Sequence, residues 1–186
     1  TIASQFLFKP RIVFSEVPAT LDKEKLDSLY SGWNHMCGLT TEGEAFCWGS
    51  NGEGQLGLGL SVLGARLMGE ASAQTLPTKV DTDKKFSSLA LGGVHSCGLT
   101  ATGDAYCWGR NKEGQVGDGE IDPSESKTQP TVVDTDKKFN SLVAGWFHTC
   151  GLTDNGDAYC WGRNFSGQLG NGECSDTSCS AADCKR

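Results

Sequence analysis

Hydrophobic and polar residues alternate with a period of two along short segments of this chain, a pattern typical of half-buried β-strands. In the middle of the chain the alternation predicts four strands, at residues 86–91, 94–100, 104–110 and 130–133. Turn residues separate these segments, so consecutive strands are expected to run antiparallel. Four short antiparallel strands within roughly 50 residues are typical of one blade of a β-propeller.

The unit recurs along the chain. Each copy opens with His-x-Cys-Gly-Leu-Thr and closes with Cys-Trp-Gly, and the three copies occupy residues 35–49, 95–109 and 148–162. Repetition of this kind is the sequence signature of a repeat architecture. The sequence therefore predicts an N-terminal arm, three repeats and a cysteine-containing C-terminal tail, with these bounds: 1–17 for the arm, 18–76, 77–129 and 130–173 for the repeats, and 174–186 for the tail.

The order of residues within a copy resembles the repeat of the regulator of chromosome condensation family. The shared pattern is Gly-x-x-His-x-x-x-Leu-Thr-x-x-Gly-x-x-Tyr-x-Trp-Gly-x-Asn-x-x-Gly-Gln-Leu-Gly, and it extends over roughly residues 26–172. Members of that family form seven-bladed β-propellers, so the resemblance implies an all-β, partial propeller with three four-stranded antiparallel blades. Repeat arrays need neighbours or caps at their ends. We therefore expect a protein partner or a homo-oligomer to cover the open propeller edges.

The two cysteines of each copy are expected to face each other across a hairpin. We take Thr100 and Asp104 as the closing pair of a three-residue loop, with Gly103 in the left-handed conformation. This register places Cys97 opposite Cys107 on a non-hydrogen-bonded rung, where Cα atoms approach to about 4.5 Å, within reach of a disulfide. The same count in all three copies predicts the disulfides Cys37–Cys47, Cys97–Cys107 and Cys150–Cys160.

Other roles for these residues stay open at this stage. The thiols could be reduced and packed as small apolar groups. His35, Cys37 and Cys47, like their equivalents, form part of a zinc ligand set, but a fourth ligand is missing. We expect instead that each repeat histidine bonds the backbone of a neighbouring strand. The tail adds three cysteines, which allow one disulfide and leave one thiol over: Cys174, Cys179 and Cys184.

Charge and cysteine content narrow the function. The chain has 16 basic and 23 acidic residues and a net charge of −7, whereas a nucleic-acid-binding protein carries a basic surface. We therefore expect no nucleic-acid partner. Nine cysteines favour an oxidising compartment, which could be extracellular, periplasmic or the lumen of an organelle. The chain has no run of 18 apolar residues, so no membrane span is expected.

The sequence offers no candidate for catalysis. All three histidines, His35, His95 and His148, occupy repeat positions, so no further histidine is available for a hydrolase triad. There is no Gly-Lys-Ser or Gly-Lys-Thr of a phosphate-binding loop. We expect neither an enzyme nor a cofactor.

Partner-binding residues are expected where the chain departs from its repeat. The N-terminal arm is too apolar for an unattached tail. The insertion at 60–76 has apolar residues around an arginine, and two of its leucines have helical spacing. Such apolar segments are candidate contacts; the alternative for the insertion is a short helix that caps the first blade. The candidates are Phe6, Phe8, Phe14, Leu63, Arg66, Leu67 and Met68.

Together these features predict a non-enzymatic interaction module or structural subunit of a larger assembly in an oxidising compartment. Two alternatives remain. The first is a regulator of a partner enzyme, for which the family resemblance implies nucleotide exchange on a small GTPase or inhibition of a secreted enzyme such as a β-lactamase. The second is a metal-binding module.

Overall fold

The computed structural model describes residues 25–59, 73–120 and 126–173, and within these ranges the chain is all-β. The strands are β1 (Leu26–Ser31), β2 (His35–Thr40), β3 (Ala45–Gly49), β4 (Gln74–Lys79), β5 (Ser88–Leu91), β6 (His95–Leu99), β7 (Ala105–Arg110), β8 (Ser126–Val132), β9 (Ser141–Ala144), β10 (His148–Leu152) and β11 (Ala158–Gly162).

The strands form three antiparallel sheets, each of which is one propeller blade. Blade 1 has the order β1-β2-β3-β4 and blade 2 the order β5-β6-β7-β8. Blade 3 has three strands in the described residues, in the order β9-β10-β11. The expected partial propeller is confirmed.

Two strand bounds differ from the sequence prediction for physical reasons. β5 begins at Ser88 rather than at residue 86, because the amide of Phe86 donates a hydrogen bond to the carbonyl oxygen of Gly43 in blade 1, 2.9 Å away. β8 begins at Ser126 rather than at residue 130, because its first residues pair with Arg110 and Gly109 at the end of β7. Both differences depend on contacts between segments distant in sequence.

The core lies between successive blades. Phe86 and Trp108 of blade 2 pack in one buried cluster with Cys37 and Cys47 of blade 1, and the two rings stack with centroids 5.9 Å apart. Phe139 of blade 3 belongs to the corresponding cluster of blade 2. Burying one such side chain stabilises the fold by roughly 1.5–3 kcal/mol. Blades 1 and 2 are therefore each completed by the blade that follows.

Within the described ranges, no helix is long and apolar enough to cross a membrane.

Candidate protein interface

The cysteines face each other across the central hairpin of each blade, as the register predicts. In blade 2, the amide of Thr100 donates to the carbonyl oxygen of Asp104 at 2.9 Å, and Gly103 has a φ of 82°. Three pairs are joined as disulfides, with Cα–Cα distances of 4.0–4.1 Å: Cys37–Cys47, Cys97–Cys107 and Cys150–Cys160. Because these sulfurs are oxidised, they are not available as thiolate ligands for a metal ion.

A hydrogen-bonded relay joins blade 1 to blade 2. Nε2 of His35 lies 2.9 Å from Oγ of Ser96, and that hydroxyl donates to the carbonyl oxygen of Gln55 at 2.8 Å. The indole nitrogen of Trp108 donates to the same carbonyl at 2.9 Å. His35, Ser96 and Trp108 are all supplied by strands of the two blades, so the relay fixes one sheet against the next.

The same relay joins blade 2 to blade 3. Nε2 of His95 lies 2.9 Å from Oγ1 of Thr149, and the hydroxyl donates to the carbonyl oxygen of Gln115 at 3.0 Å. The indole of Trp161 completes the arrangement, also at 3.0 Å from that oxygen. Two joints of identical chemistry show that the relay is a property of the repeat.

The relay determines the protonation state of the histidines. A hydroxyl has one proton, and that proton goes to the glutamine carbonyl, so the imidazole Nε2–H must donate to the hydroxyl. Nδ1 of both His35 and His95 is then an unprotonated, buried atom with no hydrogen-bond partner in the described residues. Burial lowers the pKa of His35 to about 4, and burial together with the neighbouring histidines lowers the pKa of His95 to about 3.

This arrangement corrects one sequence prediction. Each buried repeat histidine was expected to bond the backbone of a neighbouring strand, but His35 and His95 bond side-chain hydroxyls of the next blade. A hydroxyl provides both an acceptor for the imidazole and a donor for the carbonyl behind it. The hydroxyl residues directly follow the histidines of blades 2 and 3, as Ser96 and Thr149, a signal that sequence reasoning missed.

Within the described residues, no following blade covers the C-terminal flank of blade 3, which is formed by Val143, His148 and Leu152. Leu152 is 40% exposed, whereas Leu99 at the same position of blade 2 is 3% exposed. Val143 is 64% exposed, whereas the equivalent Ala90 is 7% exposed. Partial burial lowers the pKa of His148, but its Nε2 has no hydrogen-bond partner in the described part of the chain.

The N-terminal flank of blade 1, formed by Leu29, Met36 and Trp48, has no preceding blade against it in the described part of the chain. Leu29 is 57% exposed, whereas its equivalent Leu89 is 6% exposed because blade 1 covers it. Met36 and Trp48 are half-buried. The hydroxyl position of the relay is occupied by Met36 in this blade, so the two ends of the array differ chemically.

An aromatic surface lies on the loops that join the first and second strands of blades 1 and 3. The rings of Trp33 and Trp146 are exposed and lie 4.7 Å apart, and Trp146 stacks on Phe147 at 5.7 Å. The guanidinium groups of Arg110 and Arg163 lie 5.1 and 5.4 Å from the centre of the Phe147 ring. Aromatic residues and arginine are the side chains enriched in protein interfaces.

The other predicted partner contacts cannot be placed. Phe6, Phe8, Phe14 and the residues of the insertion, Leu63, Arg66, Leu67 and Met68, lie outside the described residues, as do the tail cysteines Cys174, Cys179 and Cys184. In the described ranges no group of three or more histidine, cysteine, aspartate or glutamate side chains could hold a metal ion. The candidate site is thus the pair of flanks and the aromatic surface.

Stacked four-stranded blades joined by a repeated relay define a β-propeller repeat protein. Models of the regulator of chromosome condensation (RCC1) repeat match this chain at residues 27–55, 86–115 and 139–168, and at 42–99 and 102–152. These matches cover more than half of the chain, and the chain belongs to the RCC1 repeat family.

Several known proteins share the repeat. The chain is 32% identical over 168 residues to the ultraviolet-B receptor UVR8 of Arabidopsis thaliana, covering 89% of this chain and 36% of that protein. It is 34% identical to the probable E3 ubiquitin-protein ligase HERC4 of Rattus norvegicus, over 75% of this chain and 12% of that protein. The crystal structure of Prp20p from Saccharomyces cerevisiae matches with a TM-score of 0.69 and 28% identity, over 81% of this chain and 36% of that one. The chain thus spans about a third or less of each of these proteins.

Proposed function

We propose that this chain is a non-enzymatic protein-interaction segment of a β-propeller that works in an oxidising compartment, and that a protein partner covers its flanks. One observation carries the proposal. Leu39 and Leu99 are both 3% exposed, but Leu152 at the same repeat position is 40% exposed. Blade 3 therefore exposes apolar side chains at positions that the following blade covers in blades 1 and 2, and burial of apolar area is the main driving force of association.

The three disulfides support the oxidising compartment. Disulfides persist in secreted, periplasmic and lumenal proteins, whereas cytosolic thiols are kept reduced. Two of the three bridges are fully buried, and all three occupy the same rung of their hairpins. This regularity favours a structural role for the bridges over a transient redox role.

The experiment compares two matched variants of the full chain in an extract of its native source. Val143→Asp places a charge on the C-terminal flank of blade 3, and Val132→Asp places the same charge on another valine that is more than half exposed, at the outer edge of blade 2. Size-exclusion chromatography with light scattering should show the unmodified chain and the Val132→Asp variant in a complex larger than 19.8 kDa. The Val143→Asp variant should elute as the free chain. A chain that elutes alone in all three cases contradicts the proposal.

Regulation of the bound partner is the second candidate. It is supported by the similarity to Prp20p, whose crystal structure was described together with its binding to Gsp1p and histones, which shows that a relative of this fold binds other proteins. The test is to add the purified chain to the partner identified above and to measure the partner's own activity. If the partner's activity is unchanged at a saturating concentration of the chain, the chain does not regulate that partner and its role is structural.

A further inference from the structure

The side chain of Arg163, directly after β11, is held by two aromatic rings. Its guanidinium carbon lies 4.5 Å from the centre of the Phe165 ring and 5.4 Å from the centre of the Phe147 ring. Such contacts fix a guanidinium through its planar faces and leave the N–H groups at its edge available to donate. Within the described residues, no acceptor bonds these N–H groups and no carboxylate pairs with them. The cation is positioned, but it has no ionic partner there.

The equivalent arginine of blade 2 shows which partner suits this position. Arg110 also directly follows a Cys-Trp-Gly motif, and it donates two hydrogen bonds to Glu113, at 2.8 and 3.2 Å. In blade 3, the residue three positions after the arginine is Ser166. The two loops otherwise share their geometry, because the amides of Glu113 and Ser166 each donate to the side-chain oxygen of the glutamine two residues on, at 3.0 and 2.8 Å. Blade 3 therefore has the arginine of this loop without its carboxylate.

Glu113 attracts Arg163 across the two blades but does not bond it. The pKa of Glu113 lies below its usual value: burial would raise it, but hydrogen bonding to Arg110 outweighs burial, and the charge of Arg163 adds a weaker contribution. Both carboxylate oxygens of Glu113 are already bonded, Oε1 by Arg110 and Oε2 by Arg110 and Gln115. Glu113 thus leaves the N–H groups of Arg163 unsatisfied.

An apolar cavity lies beside this cation. The Trp146 ring stacks on Phe147 at 5.7 Å and contacts Trp33 at 4.7 Å. The two indoles, with Leu91 and glycines of all three blades, line an open cavity of about 260 Å³. Phe147 contacts both the guanidinium and Trp146, so these two groups are separated by no more than the span of about three residues of extended chain.

We propose that Arg163 and the aromatic surface form a docking site for a short extended segment of a partner protein. In this segment an aspartate or glutamate bonds Arg163, and an apolar side chain about three residues away enters the cavity beside Trp146. The inference rests on the proposed function, because it states the chemistry of the partner. A carboxylate is the ligand that this loop binds in blade 2, and two-bond pairs of arginine with carboxylate are among the strong hydrogen bonds of proteins.

The net charge of the chain determines the character of the partner segment. With 23 acidic and 16 basic residues, the chain repels a strongly acidic partner at long range. A pair held by two short hydrogen bonds acts at contact distance instead, and one arginine fork matches one carboxylate. The segment is therefore expected to combine a single acidic residue with apolar neighbours, rather than to carry a run of acidic residues.

The experiment supplies the carboxylate of blade 2 within blade 3. Ser166 is exposed, so Ser166→Glu in the full chain should place a carboxylate against Arg163, as in the blade 2 pair, and occupy the guanidinium from within. Ser166→Gln is the matched control, because glutamine has nearly the same size and no charge. Neither variant alters Arg163 or the aromatic rings.

The probe is a library of random peptides displayed on phage and selected on the unmodified chain. Enriched peptides should share an aspartate or glutamate about three positions from an apolar residue. Binding of a synthetic enriched peptide is then measured by fluorescence anisotropy. Ser166→Glu should weaken it by about tenfold or more, as should replacing the acidic residue of the peptide by its amide, because either change removes a charge-assisted pair. Ser166→Gln should bind like the unmodified chain.

Several results would overturn the inference: no enriched peptide, enriched peptides without a carboxylate, or equal binding by the two Ser166 variants. A dimer of the unmodified chain that Ser166→Glu dissociates, seen by light scattering, would also overturn it, because the occupant would then be a second copy. Arg163→Gln tests the same contact from the other side if Ser166→Glu does not fold, and it should weaken peptide binding to the same extent.

The extract experiment separates this inference from the proposed function. A complex that Val143→Asp releases and Ser166→Glu does not would support the proposed function and refute the docking site. A chain that elutes alone from the extract but selects carboxylate-bearing peptides would contradict the proposed function only.

Discussion

Removal of one hydroxyl at the joint between blades 2 and 3 tests the structural argument most directly. Thr149→Val keeps the shape of the side chain and deletes the group that links His95 to the carbonyl of Gln115. Thr149 is fully buried, so water cannot replace the hydroxyl without a rearrangement of the joint.

The expected cost follows from which atoms lose their partners. The carbonyl of Gln115 keeps the indole of Trp161 at 3.0 Å and is not orphaned. The Nε2–H of His95 loses its acceptor, and one unsatisfied buried group costs about 1–3 kcal/mol. Thr149→Ser is the matched control: it keeps the hydroxyl and loses one methyl group, a change of about 1 kcal/mol or less.

The assay is urea unfolding at neutral pH, monitored by tryptophan fluorescence. The valine variant should be less stable than the serine variant, and its transition should broaden as blade 3 unfolds ahead of blades 1 and 2, because repeat arrays couple only through nearest neighbours. If Thr149→Val were as stable as Thr149→Ser, the hydroxyl would contribute nothing and the relay would be incidental to the stacking.

Further predictions concern the bridges, the histidines and the aromatic surface. A small reductant should open the partly exposed bridge of blade 3 before the two buried bridges, as measured by alkylation and mass spectrometry; simultaneous reduction of all three would be contrary evidence. Replacing Cys97 and Cys107 by serine should lower the free energy of unfolding by about 3 kcal/mol in the loop-entropy model. Because burial lowers the pKa of His95 to about 3, the unfolded state binds the proton more tightly below about pH 6.5. The stability that depends on His95 should therefore fall toward pH 3 by at most about 5 kcal/mol, and the slope should be weaker in His95→Gln; equal slopes would argue against it. Gly93→Ala should shift the fluorescence of Trp146, because the added Cβ would lie 2.1 Å from its ring and the ring must move; an unaltered spectrum would count against the close approach of Gly93 to Trp146.

The features that sequence predicted are those set by local geometry. The register that places Cys97 opposite Cys107 depends only on the length of one loop and on Gly103 in the left-handed conformation, so counting along the chain was sufficient. The three repeats and the antiparallel order within each blade follow in the same way from period-two patterning. For these features, residues close in sequence make the contacts that decide the structure.

The features that sequence did not predict depend on how blades stack. The hydroxyl of Ser96 contacts His35, 61 positions away, and nothing in the local pattern distinguishes a hydroxyl that bonds an imidazole from one that faces water. The contact of Trp33 with Trp146 joins loops of blades 1 and 3, and the ring of Trp146 lies so close to Gly93 of blade 2 that a Cβ there would clash with it. Both contacts depend on how the sheets are placed relative to one another, and the alternation of hydrophobic and polar residues does not encode that placement.

The division between bridges and relays has a consequence for partner binding. Each disulfide stabilises its own hairpin, whereas each relay stabilises only the contact between two blades. Within the described residues, blade 3 has its internal bridge and one relay, the one to blade 2. A partner that binds only the folded flank adds a contact to blade 3, and at 100 times its dissociation constant it stabilises the folded state by about 2.7 kcal/mol. The same partner would shield Cys150 and Cys160. Partner binding and the redox stability of blade 3 are therefore expected to rise and fall together, since one uncovered surface governs both.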